Sequence, residues 1–179
     1  ATAHILVAAQ QLVSRNVNPT EPTVLSFGLI EASGATNIIP NQVHVKGTFR
    51  AIDESWRHQA HELLAKLVHD VASAHGCTVD LDIRVGYPHV NNNPALTEAF
   101  KRCAVEYVGE ERVHDLDIRM TGEDFSHFAN EIPGCFYRLG TASPHGNHGK
   151  AGLHTPHFDV DEDSLILGAG LMAYAATQV

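Results

Sequence analysis

Val43-His44-Val45-Lys46-Gly47-Thr48-Phe49-Arg50-Ala51 is the stretch that decides the fold of the first half of the chain. Val43, Val45, Gly47, Phe49 and Ala51 alternate with His44, Lys46, Thr48 and Arg50. A period of two belongs to a β-strand with one covered face and one polar face. The period then changes. Trp56, Ala60, Leu63, Leu64, Leu67, Val68, Val71 and Ala72 recur at helical spacing. Asp53 is placed to cap that helix, which the pattern carries to about His75, and Gly76 is placed to stop it. Strand beside helix predicts a mixed α/β (α+β) layer.

Working outward, residues 3–15 read as a helix with Leu6, Ala9, Leu12 and Val13 on one face, closed by Pro19 and Pro22. Residues 23–32 read as a strand. Ser33-Gly34-Ala35-Thr36 and Pro40-Asn41 are turn chemistry, so this strand and the next should pair antiparallel. Val79, Leu81, Ile83 and Val85 alternate with Asp80, Asp82 and Arg84 in a third one-sided strand, ended by Tyr87-Pro88. The order αββαβ becomes the ferredoxin-like split βαβ arrangement if one strand precedes residue 1. That first strand is missing, and residues 2–13 already read as mid-helix, so the chain is expected to be an incomplete fragment.

The second half has another character. Asn93-Pro94 opens a helix to Val108, closed by Gly109. Residues 113–120 are expected as a short strand. Residues 123–132 are expected as a short helix with Phe125, Phe128 and Ala129 inward, and residues 135–139 as an apolar strand. A Gly- and His-rich loop spans 140–161, and residues 164–177 form an apolar closing helix. The boundary between the halves falls near residues 88–93.

The bulk numbers exclude some functions. The 179 residues make one ordinary domain or two small ones. A net charge of −9 argues against nucleic-acid binding, which needs a basic surface. No apolar run is long enough to span a bilayer, and the first residues are not expected to be a signal peptide. Cys77, Cys103 and Cys135 are odd in number and widely spaced, so they are expected as free, buried thiols in a reducing, cytoplasmic compartment. The thirteen histidines point weakly toward metal chemistry.

Three places carry candidate chemistry. The loop holds His145, His148, His154 and His157 ahead of Asp159, Asp161, Glu162 and Asp163. Imidazole nitrogens and carboxylates suit zinc or manganese, although a solvated loop explains them equally. Glu123 and Asp124 stand in the expected first turn of a helix. The helix dipole alone accounts for two acids there; a carboxylate aimed into an active site is the sharper alternative. Asn37 at a strand end and Arg50 on the polar face of the partner strand offer an amide and a guanidinium for a carboxylate or carbonyl. Turn formation and a surface ion pair are the plainer alternatives.

Together, five ordered stretches resemble one family. They are Ser14-Arg15-Asn16-Val17-Asn18-Pro19, Gly34-Ala35-Thr36-Asn37-Ile38-Ile39-Pro40, Gly47-Thr48-Phe49-Arg50, Thr121-Gly122-Glu123-Asp124-Phe125-Ser126 and Leu153-His154-Thr155-Pro156-His157-Phe158-Asp159. The family is that of the metallo-aminoacylases and carboxypeptidases. It includes hippurate hydrolases, bacterial N-acyl-amino-acid amidohydrolases and plant auxin-conjugate hydrolases.

The resemblance implies a ferredoxin-like lid or dimerisation domain at residues 1–88. It implies the C-terminal part of a zinc-peptidase-like catalytic domain at 89–179. It further implies hydrolysis of N-acyl amino acids or short peptides by water activated on two divalent ions (Zn, Mn, Ni or Co), and a homodimer formed through residues 1–88. Carried over, His154 is a metal ligand, Asn37 and Arg50 contact substrate, and Glu123 lies near the catalytic site. The family's other ligands and its general base lie upstream of the matched stretches, so the chain alone is expected to bind few or no ions and to be inactive. A non-catalytic dimerisation or small-molecule-binding module of ferredoxin-like fold is the alternative. A self-contained metal-binding protein using the loop histidines is a second.

Overall fold

The hairpin forms where alternation predicts it. In a computed structural model, which describes residues 1–120, 122–143, 145–146 and 148–178, β1 (Thr23–Glu31) pairs antiparallel with β2 (His44–Ala51). Thr23 faces Ala51 at one end and Glu31 faces His44 at the other. The register slips between Phe27 and Leu29, a bulge that takes up Gly28 as the extra residue. Thr23, Leu25 and Phe27 share the covered face with Phe49 and Ala51, and beyond the bulge Leu29 lies opposite Lys46 and Ile30 opposite Val45. Gly47 lies opposite Phe27, and a Cβ there would stand 2.5 Å from the Ser26 carbonyl oxygen and 2.8 Å from the Phe27 ring.

The helix α2 (Glu54–Ala74) starts where its cap dictates. The Asp53 carboxylate accepts the Trp56 backbone N–H at 2.5 Å. The helix ends at Gly76, whose φ of +67° suits a residue without Cβ. Trp56, Ala60, Val68 and Ala72 are its buried stripe. Trp56 and Ala60 join Ala51 in one core, with Val17, Phe49 and Leu63 packed against it. The Trp56 indole N–H donates to Thr23 Oγ1 at 3.1 Å, which ties the helix to β1. The helix expected over 3–15 is interrupted. α1 (Thr2–Ala9) packs on α2, and a π-helical turn over Leu12–Asn16 carries the fully buried Leu12.

The strand expected over 79–85 pairs with no neighbour among the described residues, where the sheet has two strands. Its alternation survives only in part: Val79, Leu81 and Ile83 are half-buried while Asp80, Asp82 and Arg84 are exposed, but Val85 is exposed too. Alternation encodes which side is covered; a ladder also needs a neighbouring backbone in register. Just downstream, Arg57 donates to the carbonyls of Gly86 and Tyr87 at 3.3 and 3.4 Å. The class is therefore mixed α/β, but the described residues do not build the sheet of a ferredoxin-like unit.

The chain divides into two units. One comprises Ala1–His89 with Arg119–Glu123, and the other Val90–Ile118 with Asp124–Val179. In the second, α3 (Pro94–Val108) packs on α5 (Asp163–Gln178). Asn93 caps α3 by accepting the Leu96 N–H at 3.0 Å, and Gly109 closes it at φ +91°. Cys103, Ala104, Leu171 and Ala175 are buried, and the rings of Tyr107 and Tyr174 stack at 5.6 Å.

Three expectations for this half are corrected. Residues 113–120 form no strand, and Leu116 and Ile118 are 56 % and 77 % exposed, so no apolar face is covered there. Residues 135–139 form none either, because the Asn92 carboxamide takes the place of a strand partner. Its Nδ2 donates to the Phe136 carbonyl at 2.9 Å and its Oδ1 accepts the Phe136 N–H at 2.8 Å. α4 (Phe125–Glu131) begins later than expected and leaves Phe128 63 % exposed.

The thiols are free, with Cys103 buried, Cys135 half-buried and Cys77 exposed; the expectation of three buried cysteines is wrong for Cys77, which follows the helix-ending Gly76. No helix among the described residues is long and apolar enough to cross a membrane.

Candidate functional site

In the first unit, Arg50 stands one residue from the end of β2 and is not in an ion pair among the described residues. Its Nη1 donates to the Met120 carbonyl at 2.7 Å. The same short segment is gripped a second time, by an antiparallel bridge between Gly122 and His89. His89 is itself positioned from α2. Its backbone N–H donates to Glu54 Oε1 at 3.4 Å, while Glu54 Oε2 accepts the Arg57 Nε–H at 2.8 Å. Two rigid elements, β2 and α2, thus fix the backbone on either side of residue 121, and the half-buried Glu123 follows directly. Thr121 lies outside the described residues.

Glu123 and Asp124 do not occupy the first turn of a helix, as the sequence predicts. α4 starts at Phe125, with Asp124 at its N-cap position and Glu123 before it. The helix-dipole account therefore still serves Asp124 at the N-cap but weakens for Glu123, one residue farther out.

Asn37 sits in an exposed turn in the β1–β2 connection, closed by a hydrogen bond from Ile38 N–H to the Ala35 carbonyl at 3.0 Å. From His44, where β2 leaves that connection, to Arg50 is six steps of strand, about 20 Å at the usual rise. Asn37 and Arg50 thus serve opposite ends of the hairpin.

In the second unit, the loop 141–161 is closed at its base. Asp161 N–H donates to the Thr141 carbonyl at 2.9 Å, and Ser143 N–H to the His148 carbonyl at 3.0 Å. His148 Nδ1 lies 2.8 Å from Asp159 Oδ2. That hydrogen bond and the Asp159 charge raise the His148 pKa above its ordinary value, and the same hydrogen bond lowers that of Asp159. A hydrogen bond with Ser143, then one from the Asp163 N–H, lower that of Asp161.

His154 lies in the inner lobe, where Thr155 Oγ1 donates to the Gly152 carbonyl at 2.8 Å and Phe158 N–H to the Thr155 carbonyl at 3.1 Å. Its φ is +64°, and it is the one non-glycine with positive φ among the described residues. Left-handed backbone costs a side-chain-bearing residue about 1–2 kcal/mol. Such outliers cluster at functional sites, where the conformation serves to aim a side chain. The imidazole is exposed.

Among the described residues no three His, Cys, Asp or Glu side chains come together closely enough to hold a metal ion. The four loop histidines do not converge, and His148 is engaged by Asp159, so the self-contained metal-binding reading loses its basis. An exposed imidazole on a constrained turn fits a metal ion as one ligand, and the described residues supply no complete set beside it.

Residues 3–178 match the model of peptidase family M20/M25/M40. The chain belongs to this family. It is 32% identical over 173 residues to an N-acetyldiaminopimelate deacetylase of Enterococcus faecalis, covering 94% of this chain and 43% of that one. It is 31% identical over 182 residues to an IAA-amino acid hydrolase of Arabidopsis thaliana, covering 99% of this chain and 41% of that one. The solved structure of the Bacillus subtilis YXEP protein, a dinuclear metal-binding peptidase of family M20, superposes with a TM-score of 0.67 at 26% identity, covering 96% of this chain and 45% of that one.

The family expected from the five stretches is thus the family found. The chain spans less than half the length of the curated relatives it matches. Neither the position of Arg50 against the Met120 carbonyl nor the backbone of His154 was legible beforehand, because both depend on chain placed far off in sequence or on φ alone.

Proposed function

We propose that the chain is part of a metal-dependent amidohydrolase that cleaves the amide bond of N-acyl amino acids or short peptides. Residues 1–88 act as its lid and dimerisation domain, and residues 89–179 as the C-terminal part of its catalytic domain. The two divalent ions of the intact enzyme, Zn, Mn, Ni or Co, supply an activated water and polarise the scissile carbonyl.

In this reading His154 contributes one ligand and the rest of the enzyme contributes the others. The constrained φ of His154 carries the reading: a strained turn that presents a bare imidazole has a reason to exist when that imidazole coordinates an ion. Glu123 stands beside the reacting groups, held by the doubly fixed segment before it. Arg50 and Asn37 each contact a substrate's carbonyl or carboxylate, and from opposite ends of the hairpin they reach different substrates of the dimer. Arg50 retains donors beyond the one given to Met120.

Dimerisation through residues 1–88 is supported by the outer edges of β1 and β2, which have no strand partner among the described residues. Sedimentation at high concentration should return a dimer; a monomer would remove that part of the proposal. Free thiols fit a reducing, cytoplasmic setting.

The test is turnover of N-acetyl and N-benzoyl amino acids with Mn or Zn present. The 179-residue chain alone should give none. Joined to the first half of a family relative it should give turnover, which His154→Ala reduces more than about 100-fold. Activity of the chain alone, or a joined His154→Ala protein with undiminished activity, overturns the assignment.

A further inference from the structure

Two histidines that no motif covers meet across the first unit. His4, on α1, and His75, the C-cap of α2, are 71 residues apart in sequence. Their rings stack with centroids 4.6 Å apart and planes 27° from parallel. His4 Nδ1 lies 2.7 Å from His75 Nε2. Both side chains are exposed, so burial does not force the contact. The frame beneath them is rigid: α1 packs on α2, and Ala9 and Ala72 are buried at 0 % and 1 % exposure.

We propose that His4 and His75 form a two-histidine binding site for a late first-row divalent cation, Ni, Cu or Zn, that clips α1 to the end of α2. Imidazole suits these ions, and their affinity for nitrogen ligands rises along the first row toward copper. Metal–nitrogen bonds of about 2.0–2.1 Å at tetrahedral or right angles place two nitrogens roughly 2.8–3.4 Å apart. To bind, the pair opens by up to a few tenths of an ångström and the exposed rings turn out of the stack, so that both nitrogen lone pairs point at one ion in place of the present hydrogen bond. Water fills the remaining positions, because no third His, Cys, Asp or Glu completes a cluster among the described residues. Binding requires neutral rings and displaces protons, so the site is lost in acid. Other histidines set the comparison: His58 and His61 lie on the same helix α2 with ring centroids 6.4 Å apart and edge-on.

The experiment is a titration of the metal-free 179-residue chain with nickel chloride at pH 7.5, read by paramagnetic broadening of the histidine ring resonances. His4 and His75 should broaden first and together. His4→Gln and His75→Gln should each weaken nickel binding by more than about tenfold. His58→Gln should leave it within about twofold. At saturating nickel the wild-type unfolding midpoint should rise by about 5 °C, a shift both variants lose. First broadening at His58, His61 or the loop histidines overturns the proposal. So does a folded His4→Gln chain that binds nickel as the wild type does. The broadening pattern needs no variant, so it decides the matter even where a substitution disturbs α1.

Discussion

The β1–β2 hairpin and the loop 141–161 both carry candidate site residues, and they hold them by different forces. The hairpin is fixed by a backbone ladder from Thr23–Ala51 to Glu31–His44 and by a core under one face. The loop is fixed by a few backbone bonds at its base and by contacts of exposed side chains, with His148 and Asp159 retaining 72% and 56% of their side-chain exposure. Backbone ladders and apolar cores are indifferent to pH near neutrality, whereas a His–Asp pair is not. The proposed lid hairpin and the loop proposed to offer an imidazole can therefore answer differently to one change of conditions.

The largest expected effect tests the hairpin side. Trp56 is 9 % exposed, fills the core beneath Ala51 and hydrogen-bonds Thr23. Trp56→Ala should destabilise the first unit by about 3–5 kcal/mol, the usual cost of emptying so large a site. Denaturant unfolding followed by amide exchange of β1 and β2 measures it. His148 should titrate as in the wild type; if it does not, the two regions are not independent.

A matched pair of glycine substitutions sharpens the contrast. Gly47→Ala drives a Cβ into the Ser26 carbonyl and the Phe27 ring, and should cost about 1–3 kcal/mol of hairpin stability by overpacking. Gly149→Ala meets the Thr141 carbonyl and must also hold a φ of +70°. It should loosen residues 148–158 while strand amides keep their protection. Equal loss of strand protection in both variants would contradict the separation of forces.

The same two regions show what was legible in the sequence. Residues 43–51 and the caps Asp53, Gly76, Asn93 and Gly109 were readable because each rests on local chemistry: alternation, an acceptor one residue before a helix, a residue free to adopt positive φ. Residues 79–85 and 135–139 were misread as strands because composition cannot report whether a backbone partner arrives. Over Phe136 that partner is the Asn92 side chain, 44 residues away. For the site, five ordered stretches named the family, since residue identity in sequence order is what they record. They were silent on Arg50 meeting the Met120 carbonyl and on His148 meeting Asp159, contacts that link side chains to partners 70 and 11 residues away. A resemblance supplies identities; only the folded backbone supplies who holds whom.

The smallest expected effect lies in that last contact, and its sign follows from the shifts. His148 has its pKa raised above the ordinary 6.5, so its contribution is fully present below that value and is lost as pH rises through the raised one. Asp159 has its pKa lowered below the ordinary 3.8, so its contribution is present above that value and is lost as pH falls through the lowered one. Between about pH 4 and 6.5 both halves of the pair operate, and the loop relaxes as pH rises through the raised His148 value. Amide exchange of residues 149–158, corrected for the intrinsic pH dependence, should therefore quicken between pH 6.5 and 9 while β1 and β2 stay constant. Asp159→Asn should bring the His148 titration, followed by its ring resonances, back toward the ordinary value and make loop exchange independent of pH across that range. Because both groups face solvent, added salt should shrink the difference. A loop equally protected at pH 6 and pH 9 would mean that its few backbone bonds suffice. His154 would then be held as the hairpin holds Arg50, by main chain rather than by charge.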